Sequence, residues 1–459
     1  MAITAEIESR KQRMDAQVAT SDLDKPIVIV SSDTHIGPRL SDMRPYCPQR
    51  LLAQYDEFVK QHTVYRQAME EVARAMFNED GGSKRYRAVR NSGIEGHHDP
   101  EARLRDLDSD GVAGEIVFHA SQNDEPLPFT NLGDPRDMFL FKAIPPTDPE
   151  LAAEGMRIYN RWLSDACSVQ PERHAGLAHL PIWDVEQAVT EIKWARENGL
   201  RGINFPAPQR WLPAYNKPVW EPLWTAAEEF RMPLDTHIGA ASDADFSGVD
   251  GRMIGFLEQS LMGPRAVPWL LLSGVFERHP ELKLVITEIP GLWWPRAAKD
   301  LDSAYRYGKN PPQGESYQKV FDMVPHMPSE YCERNIIIGA SFMSKGEAED
   351  AYSSAYYSNC MWGSDYPHAE GTFQAFTDGE EKVPVTQLSL RSTFSGIPEG
   401  PMRLMMGTNA VDVFGMDLEA LQKVANRIEA PTPRDIAKPY DGPPEGVSTL
   451  GFRRNGVWD

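Results

Sequence analysis

The sequence predicts an α/β protein built as a (β/α)8 barrel. Eight short, nearly continuous apolar runs alternate with helical patterns, which is typical of a parallel sheet covered on both faces. No Gly-rich nucleotide turn follows any run, which disfavours the alternative, an open doubly wound sheet. The predicted strands comprise residues 27–32, 113–118, 175–179, 201–204, 232–236, 283–288, 335–339 and 359–363.

The predicted elements divide the chain into three parts. Residues 1–26 form an N-terminal arm or helix, and residues 27–429 form the barrel domain. Residues 430–459 are a Pro-rich C-terminal tail, expected to lack regular structure and to drape over the body or a neighbouring subunit. Helices are predicted between strands at 185–198 and 218–230.

Two insertions are too long to be simple loops. The first, residues 36–112, follows the first strand and contains an amphipathic helix around 55–77. Long insertions after barrel strands fall on the catalytic face, so we expect a lid or pocket wall, with an oligomer contact as the alternative. The second insertion, residues 289–333, follows the sixth strand.

The composition limits the classes of partner. The chain has 459 residues and a formal net charge of -20, which argues against a nucleic-acid or anionic-membrane partner. No apolar run approaches the roughly 18 residues that a membrane span needs, and the first 24 residues lack a signal-peptide core. Four scattered cysteines are typical of reduced thiols. We therefore expect a soluble, cytoplasmic protein that acts on a small molecule.

The most informative feature is a set of potential metal ligands where apolar runs end. Asp33 and His35 follow the first run, and Asp235 and His237 repeat the spacing at the fifth. Residues two apart on a strand share a face, so each pair can point into the barrel. A single pair is as easily explained by helix capping or backbone hydrogen bonding. The recurrence of potential ligands at four strand ends instead predicts a metal site at the barrel mouth.

The sixth and eighth strands add candidate catalytic groups. Asp365 can ligate a metal and accept a proton, although a helix N-cap ahead of residues 369–376 is an alternative role. His368 could orient a ligand or touch substrate. Glu288 ends the sixth strand and could be a further ligand, a general acid or base, or an anchor for a ligating histidine.

Other residues are candidates for supporting roles. Trp293 and Trp294 could line a pocket for an apolar or aromatic substrate, with core packing as the alternative. His179 is best explained as a core histidine, and the pair His97 and His98 is expected on the surface. Three arginines are candidates for binding a substrate carboxylate: Arg39, Arg44 and Arg296.

Several segments resemble the amidohydrolase superfamily, specifically the amidohydrolase-2 branch that includes aminocarboxymuconate-semialdehyde decarboxylase and related aromatic-acid decarboxylases. The resemblance covers roughly residues 27–420. The segments are residues 32–35 (SDTH), 108–112 (DSDGV), 274–283 (GVFERHPELK), 362–368 (WGSDYPH), 407–410 (GTNA) and 414–415 (FG).

The resemblance implies a distorted (β/α)8 barrel with a divalent ion at the strand ends. It assigns metal binding to Asp33, His35, His237 and Asp365. The first ligand is often His or Glu in relatives, so Asp33 gives a harder ligand set. Zinc is the favoured ion, manganese and iron stay open, and a second ion is not excluded. The fourth strand lacks the lysine that bridges two metals in relatives, which favours one metal or two bridged by carboxylates.

A second departure bears on the reaction. The decarboxylases place a catalytic histidine on the sixth strand, where this chain has Glu288. The leading prediction is therefore a metal-dependent hydrolase using an activated water, with decarboxylation of an aromatic acid as a close variant. Asp365 would move the proton, assisted by Glu288 or His368.

Two alternatives belong to other classes. One is a non-haem iron oxygenase on the same barrel, which could be dinuclear, because two histidines and several carboxylates suit iron. The other is a non-catalytic, metal-binding companion subunit. A homo-oligomer is expected by default, or a hetero-oligomer with a related subunit.

Overall fold

The structure, a computed structural model, describes most of the chain. It covers residues 2–18, 22–76, 91, 93–134, 144–238, 254–255, 257–258, 263–289, 291–309, 317–373, 384–444, 447 and 449–455. Some positions of the predicted insertions and of the tail, including residues 77–90, 290 and 310–316, therefore lie outside the described residues.

Eight parallel strands form one sheet in sequential order, which confirms the predicted barrel. Each strand pairs in parallel with the next along the chain, as expected when helices return the chain to the same end of the sheet. The strands are β1 (Val30–Ile36), β2 (Gly114–His119), β3 (His174–His179), β4 (Gly202–Asn204), β5 (Leu234–His237), β6 (Leu284–Thr287), β7 (Ile336–Ser341) and β8 (Cys360–Gly363).

The sheet closes through the segment that follows β8. Thr34 forms a parallel bridge with Tyr366, and the His35 N–H donates to the Tyr366 carbonyl over 2.6 Å. The Asp365 N–H donates to the Asp33 carbonyl over 2.9 Å. The first strand and the post-β8 segment are thereby held side by side, which brings two of the predicted ligand segments together.

Helices surround the strands, and both of the predicted interstrand helices are present. The helices are α1 (Ala2–Val18), α2 (Leu40–Met43), α3 (Leu52–Met76), α4 (Pro100–Asp110), α5 (Pro149–Ser168), α6 (Val185–Glu197), α7 (Glu221–Glu229), α8 (Ala266–Leu272), α9 (Val275–Arg278), α10 (Trp294–Lys309), α11 (Gln318–Met323), α12 (Pro328–Asn335), α13 (Lys345–Ser353), α14 (Val385–Phe394), α15 (Glu399–Arg403), α16 (Asn409–Phe414), α17 (Leu418–Arg427) and α18 (Pro433–Ile436).

The first strand begins and ends later than predicted. The prediction followed the apolar run at residues 27–30, whereas β1 continues through Ser31, Ser32, Asp33 and Thr34 to Ile36. Its pairing with β2 shifts register between Ser31 and Thr34. All seven residues of β1 are buried, because polar groups at the barrel mouth face other polar groups and need not face water.

The GTNA segment belongs to the scaffold. Gly407 lies in a π-helical turn so close to β1 that a Cβ there would fall 1.9 Å from the Val28 carbonyl oxygen. The Asn409 side-chain amide donates to the Cys360 carbonyl over 2.6 Å and to the Tyr357 carbonyl over 2.7 Å. This contact positions the first and last strands relative to each other.

Both ends of the chain pack on the barrel. In α1, Ile3 and Ile7 are buried, and the Arg10 guanidinium donates to the Ser358 carbonyl over 3.1 Å. The prediction that the tail lacks regular structure was wrong for α18 and for a 3-10 turn at Leu450–Phe452. These segments are ordered by burial of apolar side chains such as Ile436 and Phe452.

The four cysteines are free and buried. Within the described part of the chain, no helix has both the length and the apolar character needed to cross a bilayer.

Candidate metal centre

The first two predicted ligands come from one end of β1. His35 Nε2 lies 3.1 Å from Asp33 Oδ1, and both side chains are buried. The two residues share a face of the strand, as their spacing requires. The contacts of these two side chains are therefore made with residues at the ends of neighbouring strands.

Strand β5 and the segment after β8 supply the other two predicted ligands. His237 Nε2 lies 3.4 Å from Asp33 Oδ1, and Asp365 Oδ1 lies 3.3 Å from His35 Nε2. The rings of His35 and His237 meet edge to face with centroids 4.9 Å apart. Asp33, His35 and His237 each offer one ligand atom, and these atoms all lie within 4.8 Å of one another. All four residues predicted as metal ligands, Asp33, His35, His237 and Asp365, are thus neighbours, and we call them the metal cluster.

The state of these atoms supports a metal site. Buried polar atoms in folded proteins almost always have a hydrogen-bond partner. Here Asp33 Oδ1, His35 Nε2, His237 Nε2 and Asp365 Oδ2 are buried without one. Two imidazole nitrogens with two carboxylates form a donor set suited to zinc, manganese or iron. The residues therefore fit a divalent cation.

The outer nitrogen of each histidine is fixed by the backbone. His35 Nδ1 donates to the His119 carbonyl over 2.8 Å, and His237 Nδ1 donates to the Ile238 carbonyl over 2.6 Å. This leaves Nε2 of both rings directed at the cluster, which is the usual way proteins orient metal-binding histidines. The Ser341 hydroxyl at the end of β7 donates to Asp33 Oδ2 and fixes that carboxylate.

His368 and Asp365 form a contact pair beside the cluster. His368 Nδ1 lies 2.9 Å from Asp365 Oδ1, and its Nε2 donates to the Ala120 carbonyl over 2.8 Å. The His368 ring stacks on His35 with centroids 3.9 Å apart. His35, Asp365 and His368 form a second group with ligand atoms within 4.8 Å. Residues 369–373 form turns and bends and no helix, so Asp365 caps none among them, and residues 374–376 of the predicted helix lie outside the described residues.

Glu288 lies just beyond the end of β6 and has an unusual backbone conformation. Glu288 and Asp365 have φ values of 57° and 56°, in the left-handed region that non-glycine residues seldom adopt. Such strain persists where surrounding structure enforces it, commonly at functional sites. Glu288 Oε2 lies 3.5 Å from His237 Nε2. Glu288 also groups with Asp365 and Glu370, with oxygens within 4.8 Å.

The electrostatics follow from carboxylates crowded in a buried space. Burial opposes ionisation of Asp33, but the nearby His237 and His35 hold its pKa well below the usual value. Burial favours the neutral form of His237, yet Asp33 and Glu288 raise its pKa to about 10. Burial and the Asp365 charge raise the pKa of Glu288 well above its usual value. The cluster therefore attracts positive charge, which a bound cation would provide in place of protons.

Asp235 does not join the ligand group. Its Oδ1 accepts a hydrogen bond from the Thr287 hydroxyl over 2.7 Å, and burial raises its pKa to about 8. The repeated Asp-x-His spacing thus placed His237 in the cluster but gave Asp235 another partner.

The three arginines proposed to bind a substrate carboxylate do not serve the cluster. Each is exposed and pairs with a nearby carboxylate on the surface. The pairs are Arg39 with Asp42, Arg44 with Asp56, and Arg296 with Asp300. No sequence pattern indicated Arg103, which is buried, donates to the His35 carbonyl over 2.6 Å and forms a bidentate pair with Glu115.

The surface position expected for His97 was wrong. His97 is buried between the Ser121 hydroxyl and the Asn91 carbonyl, each 2.7 Å from a ring nitrogen. Asn91 in turn donates to the Pro367 and Phe373 carbonyls. The first insertion therefore packs against the segment after β8, which is consistent with a pocket wall.

The tryptophan pair divides between two environments. Trp294 is buried in the core, whereas Trp293 is half-buried and its indole N–H has no partner. Their rings meet edge to face at 5.4 Å. Trp294 thus fills the core, and Trp293 is the member still open to a pocket role.

The ends of β2, β3 and β4 carry polar residues that sequence reasoning missed or undervalued. His119 ends β2, His179 ends β3 and Asn204 ends β4. Tyr159 on α5 packs against both histidine rings, with centroids 5.0 and 5.3 Å away. A histidine closing an apolar strand was a usable signal for His119. Nothing in the sequence pointed to Tyr159, because its position depends on how α5 packs.

Comparison with known proteins places this geometry in a family. The family model described as Amidohydrolase matches residues 140–416, more than half of the chain, including His237, Glu288 and Asp365. The γ-resorcylate decarboxylase of Rhizobium radiobacter is 23% identical over 276 residues, which are 55% of this chain and 79% of that protein.

Solved structures share the fold. The 5-carboxyvanillate decarboxylase of Sphingomonas paucimobilis is 20% identical with a TM-score of 0.56, covering 85% of this chain and 100% of that one. A dihydroxybenzoic acid decarboxylase from Polaromonas, solved with manganese and 2-nitroresorcinol bound, is 17% identical with a TM-score of 0.51, covering 85% and 98%.

Proposed function

The chain belongs to the amidohydrolase family, and on that premise we propose that it is a divalent-metal-dependent decarboxylase of an aromatic acid. One observation carries the proposal. Buried nitrogen and oxygen atoms of Asp33, His35, His237 and Asp365 converge without hydrogen-bond partners. Similarity to a γ-resorcylate decarboxylase over more than half the chain moves the preferred reaction from hydrolysis to decarboxylation.

Asp33, His35, His237 and Asp365 would hold the cation. Zinc and manganese both suit this donor set, and the manganese bound by a structural neighbour makes manganese the first ion to test. A bound divalent ion supplies positive charge that orients an anionic substrate and withdraws electrons from it.

The chain's own residues would manage the proton. Non-oxidative decarboxylation breaks the bond between ring carbon and carboxylate, releases CO₂ and adds one proton to that ring carbon. Glu288, beside His237 and half-buried at the mouth, is positioned to deliver this proton from its carboxyl group. Asp365 lies close to both Glu288 and His368 and would accept a proton from solvent and pass it to Glu288, which restores the donor after each turnover. Glu288 thus takes the part that a sixth-strand histidine plays in the decarboxylases of the branch.

The test uses full-length protein loaded with manganese or zinc. 2,6-Dihydroxybenzoate and 5-carboxyvanillate are offered in D₂O, and both CO₂ and the phenolic product are measured. Decarboxylation places one deuterium on the ring carbon that lost the carboxylate. Absence of CO₂ from both acids, combined with water-dependent cleavage of an amide or ester probe, would instead support the hydrolase.

A second candidate is a non-haem iron oxygenase. It is favoured by the cluster of three carboxylates formed by Glu288, Asp365 and Glu370. Oxygen-rich donor sets suit iron, and this group adjoins the first through Asp365. Metal analysis of anaerobically purified protein separates the candidates. Abundant iron with O₂-dependent turnover favours the oxygenase, and stoichiometric zinc or manganese with O₂-independent CO₂ release excludes it.

The assembly is a further proposal. We infer a homo-oligomer, or a hetero-oligomer with a related subunit if the chain is a companion that lacks turnover of its own. Mass measurement of the purified chain by light scattering, followed by an activity assay of the isolated species, distinguishes these arrangements.

A further inference from the structure

The part of the barrel mouth formed by β2, β3 and β4 differs chemically from the metal cluster. We define its polar residues, His119, Tyr159, His179 and Asn204, as the neutral cluster. His119, His179 and Asn204 are half-buried at three successive strand ends, and Tyr159 is fully buried behind them. None of these four side chains carries the formal charge of a lysine, arginine or carboxylate.

The neutral cluster is held rigidly. The buried Asn160 side chain donates to the His179 carbonyl over 2.8 Å and accepts from the His179 N–H over 2.9 Å. Asn160 is itself fixed by a hydrogen bond to Glu191 of 2.8 Å. The His179 ring lies edge-on to His119 and Tyr159, and its Nε2 lies 3.2 Å from the Asn204 amide nitrogen. Such support for one side chain is typical of a preorganised binding site.

Two polar atoms in this rigid cluster have no hydrogen-bond partner. The Tyr159 hydroxyl and His119 Nε2 are both buried and unpartnered. Leaving such groups unpaired destabilises a fold, and in native proteins they commonly serve a ligand or an ordered water. Hydrogen bonds among His179, Asn160 and Asn204 fix this arrangement, so the unpartnered atoms do not belong to a loosely packed edge of the barrel.

The neutral cluster adjoins the metal cluster. The His119 carbonyl accepts the hydrogen bond from His35 Nδ1, while the His119 ring belongs to the neutral cluster. Phe118, the preceding residue, packs against the rings of both His35 and His237. A ring-sized substrate held at the metal cluster therefore lies next to the neutral cluster.

We propose that the neutral cluster is a specificity subsite that binds an uncharged hydroxyl or carbonyl group on the far side of the substrate ring. This inference rests on the proposed function, because it takes an aromatic acid as substrate. Burial lowers the pKa of His179 to about 4, so its ring is neutral at neutral pH. A second carboxylate would be disfavoured, because the four residues of the cluster supply no cation and Arg103, the cation that acts on Tyr159, is already paired with Glu115. The Tyr159 hydroxyl can donate to an uncharged oxygen, and the Asn204 amide can donate or accept.

The test measures binding and not turnover. Manganese-loaded, full-length protein is titrated calorimetrically with 2-hydroxybenzoate and with its 4-hydroxy and 5-hydroxy derivatives. These acids differ only in a hydroxyl distant from the carboxylate. In the wild type, at least one derivative is expected to bind about 10-fold tighter than 2-hydroxybenzoate, as one or two hydrogen bonds allow.

Three variants separate the groups. Tyr159→Phe removes only the hydroxyl, His179→Phe keeps a ring, and Asn204→Leu keeps the approximate volume. Each is expected to reduce the preference to about 3-fold or less while affinity for 2-hydroxybenzoate and manganese content stay unchanged. His326→Phe, which alters a histidine whose ring packs against Tyr331 on α12, serves as the control and should retain the full preference.

The outcomes distinguish this subsite from the proposed function. No preference for either derivative in the wild type, or a preference that survives in all three variants, overturns the subsite. A raised melting temperature in Tyr159→Phe with unchanged preference identifies the hydroxyl as an unsatisfied structural atom and overturns its role too. Hydroxyl-dependent binding without CO₂ release would support the subsite and contradict the proposed decarboxylase function.

Discussion

Two histidines at the mouth of the same barrel have pKa values shifted in opposite directions. His237 ends β5 beside Asp33 and Glu288, and its pKa is raised to about 10. His179 ends β3 beside His119, Tyr159 and Asn204, and burial lowers its pKa to about 4. Burial acts in the same direction on both rings, so the neighbouring carboxylates decide the difference. The mouth therefore has an acidic half, formed by the metal cluster and Glu288, and a neutral half, formed by the neutral cluster.

The largest expected effect comes from Asp365 in the acidic half. Asp365→Asn keeps the size of the side chain but removes the carboxylate charge and the proton acceptor. Turnover should fall by at least about 10³-fold while the fold persists. The initial rate of CO₂ release and the circular dichroism spectrum are the measurements. Asp300→Asn, which alters an exposed carboxylate paired with Arg296, is the control. Full activity in Asp365→Asn would contradict its assigned role.

Glu288→Gln tests the proton donor specifically. The amide keeps the shape of the carboxyl group but cannot deliver a proton, so turnover should fall by about 10²-fold or more. Metal content should stay close to wild type, because Glu288 is not one of the four proposed ligands. Ring deuteration in D₂O measures the proton transfer directly. An unchanged rate of deuteration would show that another group protonates the ring carbon.

Arg453 tests how the tail supports the acidic half. Its buried guanidinium donates to the Phe342 carbonyl over 3.0 Å and pairs with the buried Glu347 carboxylate at 3.3 Å, next to Ser341. Arg453→Met leaves the Glu347 carboxylate buried without its countercharge and should lower the free energy of unfolding by about 3 kcal/mol. Urea denaturation measures this loss. The adjacent Arg454 forms an exposed pair with Asp441, so Arg454→Met should change stability by less than about 1 kcal/mol. Equal effects of the two substitutions would refute the support assigned to Arg453.

The smallest effect concerns the pH dependence of the neutral half. His179 has a folded-state pKa of about 4 against an ordinary value of 6.5, so between these values the unfolded chain binds a proton that the folded chain refuses. Stability contributed by the neutral ring is complete above pH 6.5 and declines as the pH falls toward 4. Because the ring is partly open to water, we expect a loss of about 2 kcal/mol. In denaturation curves across this range, His179→Phe should lack this part of the pH dependence, whereas an unchanged profile would contradict a buried neutral ring.

The sequence predicted the acidic half better than the neutral half for a physical reason. Asp33, His35, His237 and Asp365 follow apolar strands, and parallel strands bring their carboxyl ends to one edge. The neutral cluster depends on Tyr159 and Asn160, which lie on α5 and reach the mouth only through helix packing. The sequence shows the periodicity of a helix, but it does not show which strand end the helix contacts.

The same limit explains the errors at single residues. Arg39, Arg44 and Arg296 were plausible anion binders by residue type, but each has a carboxylate neighbour on the surface. Asp235 shares the spacing of Asp33, yet Thr287 on the adjacent strand takes its carboxylate. Arg453 lies in a Pro-rich tail without periodicity and nevertheless becomes buried beside β7. Such partners are set by tertiary contacts that a linear pattern does not contain.

The metal content of the purified full-length chain tests most directly whether the acidic half holds a cation. Elemental analysis after reconstitution with manganese or zinc should find about one tightly held ion per chain, and His237→Ala should lose it. Removal of the ion by a chelator should also lower the melting temperature of the wild type. A wild-type chain that retains no ion, or a His237→Ala variant that binds it equally well, would contradict the assignment of Asp33, His35, His237 and Asp365 as a metal centre.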